Sequence, residues 1–375
     1  MKDIGFSAKS SWNVNKARNS AKLDIANKKY QYSVKNIYYR PFDTRKIYYN
    51  TDVIDTASRP ICVDLYDLEN LAIHTPKIKN TLDFNHVMAS PFPSEKKAAS
   101  HDRATQMFPL FIRLPEVSSQ LLRQPNIDPN WALDIANAIG LTYEDGIPRG
   151  QQGSLGKDFI KPKAEQIGLL DTPWDGRGDL AKNFGPRDLF DYIYAVLHAP
   201  SYRSRYAEFL KSAFPRIPPP GSRALFAELV PLGRELVALH LLKPDEASAL
   251  KTPEIRFCGT GEARVAKGYP EYENGKVKIN ASRWFEDVPK ATWEFHVGGY
   301  QPCEKWLKDR AAKGGKKPSN GRVLTDEDVL HYRRMVTALT ETRRIMAEID
   351  QVIDKHGGWP GAFKVGTAAD AEAVA

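Results

Sequence analysis

The order of apolar and polar positions divides the chain into a strand-rich first part and a helix-rich second part. Residues 37–49, IYYRPFDTRKIYY, place two aromatic and aliphatic clusters either side of a Pro and an Asp. That pattern predicts a strand, a turn and a second strand. The runs PICVD (60–64) and FPLFI (108–112) are of strand length. Residues 114–186 are rich in Pro, Gly, Asp and Asn, with one helical patch near Trp131–Ile139. They read as a long loop or insertion.

Helical spacing begins at residue 187. Leu189, Phe190, Ile193, Tyr194 and Leu197 share one face of a helix over 187–198, which Pro200 ends. A second helix is expected over 202–214 with Tyr206, Phe209 and Leu210 inward, stopped by PRIPPPG. A third is expected over 223–242, interrupted or kinked at Pro231. EIRFC (254–258), KVKIN (276–280) and TWEFHVG (292–298) are strand-like, and 302–310 looks helical. AAKGGKKPSNG (311–321) reads as a flexible basic loop. Val329, Tyr332, Val336, Leu339, Ile345, Ile349 and Val352 stripe a long helix over 325–355. Thr325 with Asp328 caps its start, and Gly357–Gly358 ends it.

This order has no βαβ alternation and predicts an α+β fold. Its short strands form a mixed sheet region, followed by helical bundle elements at 187–242 and 325–356 with a long C-terminal helix. Residues 1–36 are polar and read as a connector, and 357–375 as a tail, frayed at GTAADAEAVA (366–375).

Charge sharpens the picture. The chain carries a net +8, and its first 50 residues hold eleven basic against three acidic side chains. The other 325 residues balance, so the whole excess sits at one end. A local basic excess attracts polyanions, nucleic acid foremost, although a solvated lysine-rich surface has the same composition. No apolar run has the length of a membrane span, and the first residues lack the apolar core of a signal peptide. Cys62, Cys258 and Cys303 are far apart and form neither a disulfide framework nor a metal knuckle, so a cytoplasmic location is expected.

Catalytic signatures are weak. The chain has no GxxxxGK[ST] phosphate loop, no HExxH and no GxSxG. GTGEAR (259–264) lacks the third glycine of a dinucleotide fingerprint and reads as a turn. DPNW (128–131) and DTPW (171–174) resemble the base-holding tetrapeptide of amino-methylating enzymes, but neither has both prolines. LKPDEASALK (242–251) offers Pro-Asp and Lys without the strand a metal nuclease needs.

Recognition chemistry remains. YYRPFDTRKIYY (38–49), PSYRSRY (200–206) and GGYQPCEKW (298–306) interleave cations with aromatics. Arginine reaches phosphates and guanine edges, aromatics stack, and Gln301 suits adenine. The candidate DNA contacts are Arg40, Arg45, Lys46, Arg203, Arg205, Gln301 and Lys305. A structural account competes for each. Arg40 and Asp43 can pair across the turn, and Tyr202, Tyr206 and Trp306 can be core.

Those segments, with DLFDYIYAVLHAPSYRSRYAEFLKSAFPRIP (188–218), FHVGGYQPCEKWLKDR (295–310) and LTDEDVLHYRRMVTALTETRRIMAEID (324–350), together resemble the C-terminal specificity region of type ISP restriction-modification enzymes. The resemblance runs from about residue 37 to about 356. It implies a target-recognition domain over 37–356 that binds double-stranded DNA without catalysis of its own. Residues 1–36 would then connect to an upstream adenine methyltransferase. S-adenosylmethionine, ATP and Mg are expected only on upstream domains, and no cofactor or metal in this chain. AAKGGKKPSNGR looks longer than the family's connection before the last helix, and 114–186 does not align. Two other classes stay open: a degenerate S-adenosylmethionine-dependent DNA methyltransferase using DPNW or DTPW, and a protein-interaction scaffold.

Overall fold

A computed structural model describes residues 14–27, 29–50, 52–54, 59–67, 70–77, 84–113, 123–145, 176–315 and 318–364. Helix α1 (Val14–Ala26) and the turn α2 (Tyr30–Ser33) lead into an antiparallel hairpin of β1 (Val34–Arg40) and β2 (Asp43–Tyr48). Val34 pairs with Tyr48 and Tyr38 with Thr44, and the register shifts between Tyr38 and Arg40. The hairpin matches its sequence signature. Its tip is apolar: Phe42, at a φ of 61°, is buried and lies edge-on to His240 with ring centroids 5.7 Å apart. The tip therefore inserts into the helical layer.

Next come α3 (Arg59–Asp67), β3 (Ala72–Pro76), β4 (Met88–Ser90), β5 (Thr105–Pro109), β6 (Phe111–Arg113) and β7 (Arg123–Pro125). Strands β4, β3 and β5 form one antiparallel sheet in that order, and β6 pairs with β7. The run 60–64 is part of α3, not a strand. Cys62 and Leu65 turn to one buried face of that helix, a spacing of three that a short apolar run does not disclose. The run 108–112 is divided by buried Leu110 between β5 and β6. Helix α4 (Pro129–Ile139) is the helical patch expected near Trp131–Ile139, while β8 (Thr142–Tyr143) and β9 (Asn183–Phe184) lie in the stretch expected to be loop. DTPW and residues 366–375 lie outside the described residues, but the tail read from 357 is packed at its start: Ala362 and Phe363 are buried, and Trp359 stacks on Phe363 and meets Tyr202.

Helix α5 (Pro186–His198) appears where the spacing predicted it. The expected helix over 202–214 is instead two short pieces, α6 (Pro200–Arg205) and α7 (Ala207–Leu210). Pro200 starts α6 rather than merely ending α5, because proline suits a helix's first turn. Leu210 is buried but Phe209 is 72% exposed, contrary to the inward reading.

Helix α8 (Arg223–His240) runs through Pro231 and packs along α5. Gly233 makes that approach possible. A Cβ there would lie 1.9 Å from the Asp191 carbonyl oxygen. A second sheet follows, of β10 (Arg256–Gly259), β11 (Glu271–Glu273), β12 (Lys276–Lys278) and β13 (Arg283–Glu286), antiparallel in the order β10-β13-β12-β11. Val277 and Phe285 pair on its buried face. Residues 292–298 are not a strand. They hold the end of the short helix α9 (Lys290–Trp293) and a turn closed by Val297 and Tyr300. Thr292, an expected strand residue, is the buried residue of α9 and shares a hydrogen bond with Thr340.

Helix α10 (Pro302–Lys308) precedes the long helix α11 (Asp326–Lys355). Thr325 and Asp328 form the expected capping box. Tyr332, Val336, Leu339, Ile345 and Ile349 of the predicted stripe are buried, and Val329 and Val352 are half-buried beside them. Tyr332 packs against Phe285 with ring centroids 4.2 Å apart, so α11 ties the second sheet to the helical layer. The mixed order of small sheets and packed helices is the α+β fold that the sequence predicts.

Candidate nucleic-acid interface

A groove of about 730 Å³ opens between the β1–β2 hairpin and the segment that follows α10. One wall carries Asp43, Thr44, Arg45 and Lys46, and the other Asp309, Arg310, Lys313, Asn320 and Arg322. Five cations therefore face two carboxylates across a short span.

Strand alternation decides which residues reach the rim. Thr44 and Lys46 point to the exposed side of β2, while Asp43 and Arg45 turn inward. Asp43 is only 3% exposed. Its Oδ2 accepts from Arg45 Nε and Nη2 at 3.1 and 2.7 Å. Its Oδ1 accepts from Arg310 Nη2 at 3.1 Å. Burial pushes this carboxyl upward, but the two arginines outweigh it and hold the group below its ordinary value. Arg45 lies over the Tyr39 ring and Arg310 over the Trp306 ring, 3.8 and 3.5 Å from their centroids.

The opposite wall is built by the segment read from sequence as a flexible basic loop. Lys313 and Ser319 bond each other's backbone in both directions, at 3.0 and 2.9 Å. Arg322 reaches Asp328 at 2.8 Å, joining this wall to the cap of α11.

The candidate contacts named from sequence do not share one surface. Arg45 and Lys46 line the groove, and Lys305 bonds Asp309 at its edge at 2.5 Å. Arg40 and Asp43 pair through their backbones, but the Arg40 side chain goes to Glu95 at 2.5 Å and lies over Tyr39 and Tyr300. Arg203 donates from Nε to the Leu197 carbonyl at 2.7 Å, and burial lowers its pKa to about 10. Arg205 is exposed on α6. Gln301 donates to the Trp293 carbonyl at 2.5 Å. Tyr202 and Trp306 are core, as the structural account of them required. In DPNW, Asp128 caps α4 by accepting from the Asn130 amide at 2.9 Å.

Sequence reasoning missed Arg310, Lys313 and Arg322. The run of basic residues at 310–322 was the available signal, but nothing in the sequence joined it to a hairpin more than 260 positions earlier.

Among the described residues no helix is long and apolar enough to cross a membrane. Fold and groove together define an α+β module with a cation-lined groove. The family model described as "Type ISP C-terminal specificity domain" matches residues 4–348, and the chain belongs to that family. No curated protein matches the sequence.

Three solved structures share the fold. The DrdV–DNA complex has a TM-score of 0.59 at 19% identity, over 84% of this chain and 28% of its own. A nuclease-deletion mutant of the type ISP enzyme LlaGI with a DNA substrate mimic has 0.55 at 20%, over 85% and 24%. The ATP-dependent type ISP enzyme LlaBIII bound to DNA has 0.57 at 16%, over 85% and 18%. The chain thus spans between 18% and 28% of the length of these three structures.

Proposed function

We propose that this chain selects a sequence in double-stranded DNA as the non-catalytic specificity part of a type ISP restriction-modification system. The observation that carries the reading is the groove. Arg45, Lys46, Arg310, Lys313 and Arg322 converge there in a chain belonging to a specificity-domain family. Such a cluster suits duplex phosphates, whose contacts fix register while side chains nearby reach base edges. Exposed Thr44, Ser319 and Asn320 supply neutral hydrogen-bonding groups on the same walls. Methylation and cleavage would belong to a partner methyltransferase and its associated domains, which would hold S-adenosylmethionine, ATP and Mg. The system would act in the cytoplasm.

Selection from a pool of randomised duplexes at two salt concentrations tests the reading. Enrichment of one motif, with affinity falling steeply as salt rises, is expected. Salt-dependent binding with no motif would reduce the groove to a generic basic patch. No binding at low salt would end the proposal for the chain by itself.

A further inference from the structure

We propose that Asp43 is a positioning residue for DNA, an acidic side chain this groove requires in order to hold a polyanion. The inference rests on the reading of the groove as a DNA site. Simple electrostatics says the opposite, since a carboxylate beside a phosphate repels it.

The geometry reverses that expectation. Asp43 is nearly buried and touches one arginine from each wall: Arg45 from β2 and Arg310 from the end of α10. Its single charge gathers two; Asp309, 3.5 Å from Arg45 Nη2 and bonded to Lys305, brings the floor to three cations against two carboxylates, a net positive node. Arg310 is the buttress. Its side chain is 12% exposed, with Nη1 on the Trp306 carbonyl at 2.9 Å and Nη2 on Asp43. Arg45 is the presenting residue. Its side chain is 39% exposed, its Nε and Nη2 are held by Asp43, and among the described residues its Nη1 has no hydrogen-bond partner. A guanidinium fixed along one edge and stacked on Tyr39 offers its remaining edge in one orientation. An unrestrained arginine must first surrender rotamer freedom to do so.

The node is braced behind. Trp306 stacks on the His331 ring 5.3 Å away, and His331 Nε2 is 2.8 Å from the carbonyl oxygen of Phe42, next to Asp43. The hairpin tip, α10 and α11 thus close a ring around the carboxylate. Lys46, Lys313 and Arg322 stay exposed at the rim, where long side chains follow a backbone.

The experiment measures binding of the full chain to a mixed-sequence duplex across a salt series. It compares wild type, Asp43→Asn, Arg45→Ala, Arg45→Lys and the Asp43→Asn/Arg45→Ala double variant. Asp43→Asn is expected to weaken binding roughly tenfold although it removes a negative charge. The slope of log affinity against log salt should fall by about 0.9, the loss of one phosphate contact. On the Arg45→Ala background the same change should add less than about twofold, because Asp43 acts through Arg45. Arg45→Lys should lose as much as Arg45→Ala, since lysine has no second edge for the carboxylate. This variant keeps the test decisive if Asp43→Asn fails to fold. Asp43→Asn binding as tightly as wild type with an unchanged slope would overturn the proposal, as would Arg45→Lys behaving like wild type. A wild-type chain that binds no duplex at low salt would instead remove the underlying reading.

Discussion

The Tyr194 hydroxyl and His240 Nδ1 lie 2.5 Å apart in the fully packed layer between α5 and α8. His240 Nε2 contacts Thr342 Oγ1 of α11 at 2.9 Å, so one imidazole joins three helices. His198 lies 5.3 Å from it, with its own Nδ1 on the Tyr194 carbonyl.

These histidines make the fold acid-sensitive. Burial lowers His240 to about 3 and His74 and His86 to about 4, from an ordinary 6.5, and also lowers His198. The cation of Arg203 adds to the lowering at His240, His198 and His86. The unfolded chain therefore binds more protons than the folded one between about pH 6.5 and about 4, and stability falls as pH drops through that window. Asp191 works against this trend, because burial raises it from 3.8 to about 6 despite Arg177. Burial raises Asp350 as well, but it also lowers His331, and two carboxyls do not offset five imidazoles. The urea midpoint should decline steadily from neutral pH to about 4. A flat midpoint across that range would show that the imidazoles are not held neutral.

Two glycines separate steric crowding from backbone strain. Gly233→Ala places a methyl against the Asp191 carbonyl, which lies in the backbone of α5 and has no side chain to rotate away. It should cost about 3 kcal/mol or more, the upper end of overpacking. Gly140→Ala meets nothing within 4 Å and pays only for a φ of +65° after α4, on the order of 1 kcal/mol. Equal losses in chemical denaturation would refute the close α5–α8 contact.

The cap of α11 is shared with the groove. Thr325 Oγ1 accepts from the Asp328 amide at 3.2 Å, and Asp328 Oδ2 accepts from the Thr325 amide at 3.1 Å and sits 2.8 Å from Arg322. Thr325→Ala should cost about 1 kcal/mol of stability and leave DNA affinity unchanged. Asp328→Ala should cost at least as much and also alter affinity, since it releases a groove cation. Identical binding by the two variants would separate the cap from the groove.

Elements with a complete local signal were legible in the sequence. Aromatic clusters around Pro41 marked the hairpin, and the stripe from Val329 to Val352 marked α11. The misread segments were short and apolar. Around Cys62 both periods fit equally well, and the alternation of Trp293, Phe295 and Val297 imitated a strand although Pro289 begins a helical turn there. The groove was half legible. Arg45 and Lys46 drew attention through their aromatic neighbours, but Lys313 and Arg322 lay in a run whose Gly, Lys and Pro content signals flexibility. Asp43 was seen as a turn residue. That it joins Arg310 follows from the burial of Phe42 beneath the helices, which no local pattern encodes.

The groove also predicts which cations matter and how. Lys46 and Lys313 stand exposed on opposite walls, and neither has an ion-pair partner among the described residues. A lysine there acts as a point charge toward phosphate and carries no base information. Each change to alanine should weaken binding to every duplex by a similar factor and lower the salt slope by about 0.9. The double variant should lower it by about twice that, because the side chains are on separate walls. Arg205, also exposed but on α6 outside the groove, is the control, and Arg205→Ala should leave affinity and slope unchanged. If Arg205→Ala lowers the slope while Lys46→Ala and Lys313→Ala do not, DNA lies along the α6 face and the groove serves another purpose. If all three lower it, the duplex crosses both surfaces, and the contact extends well past the walls of the groove.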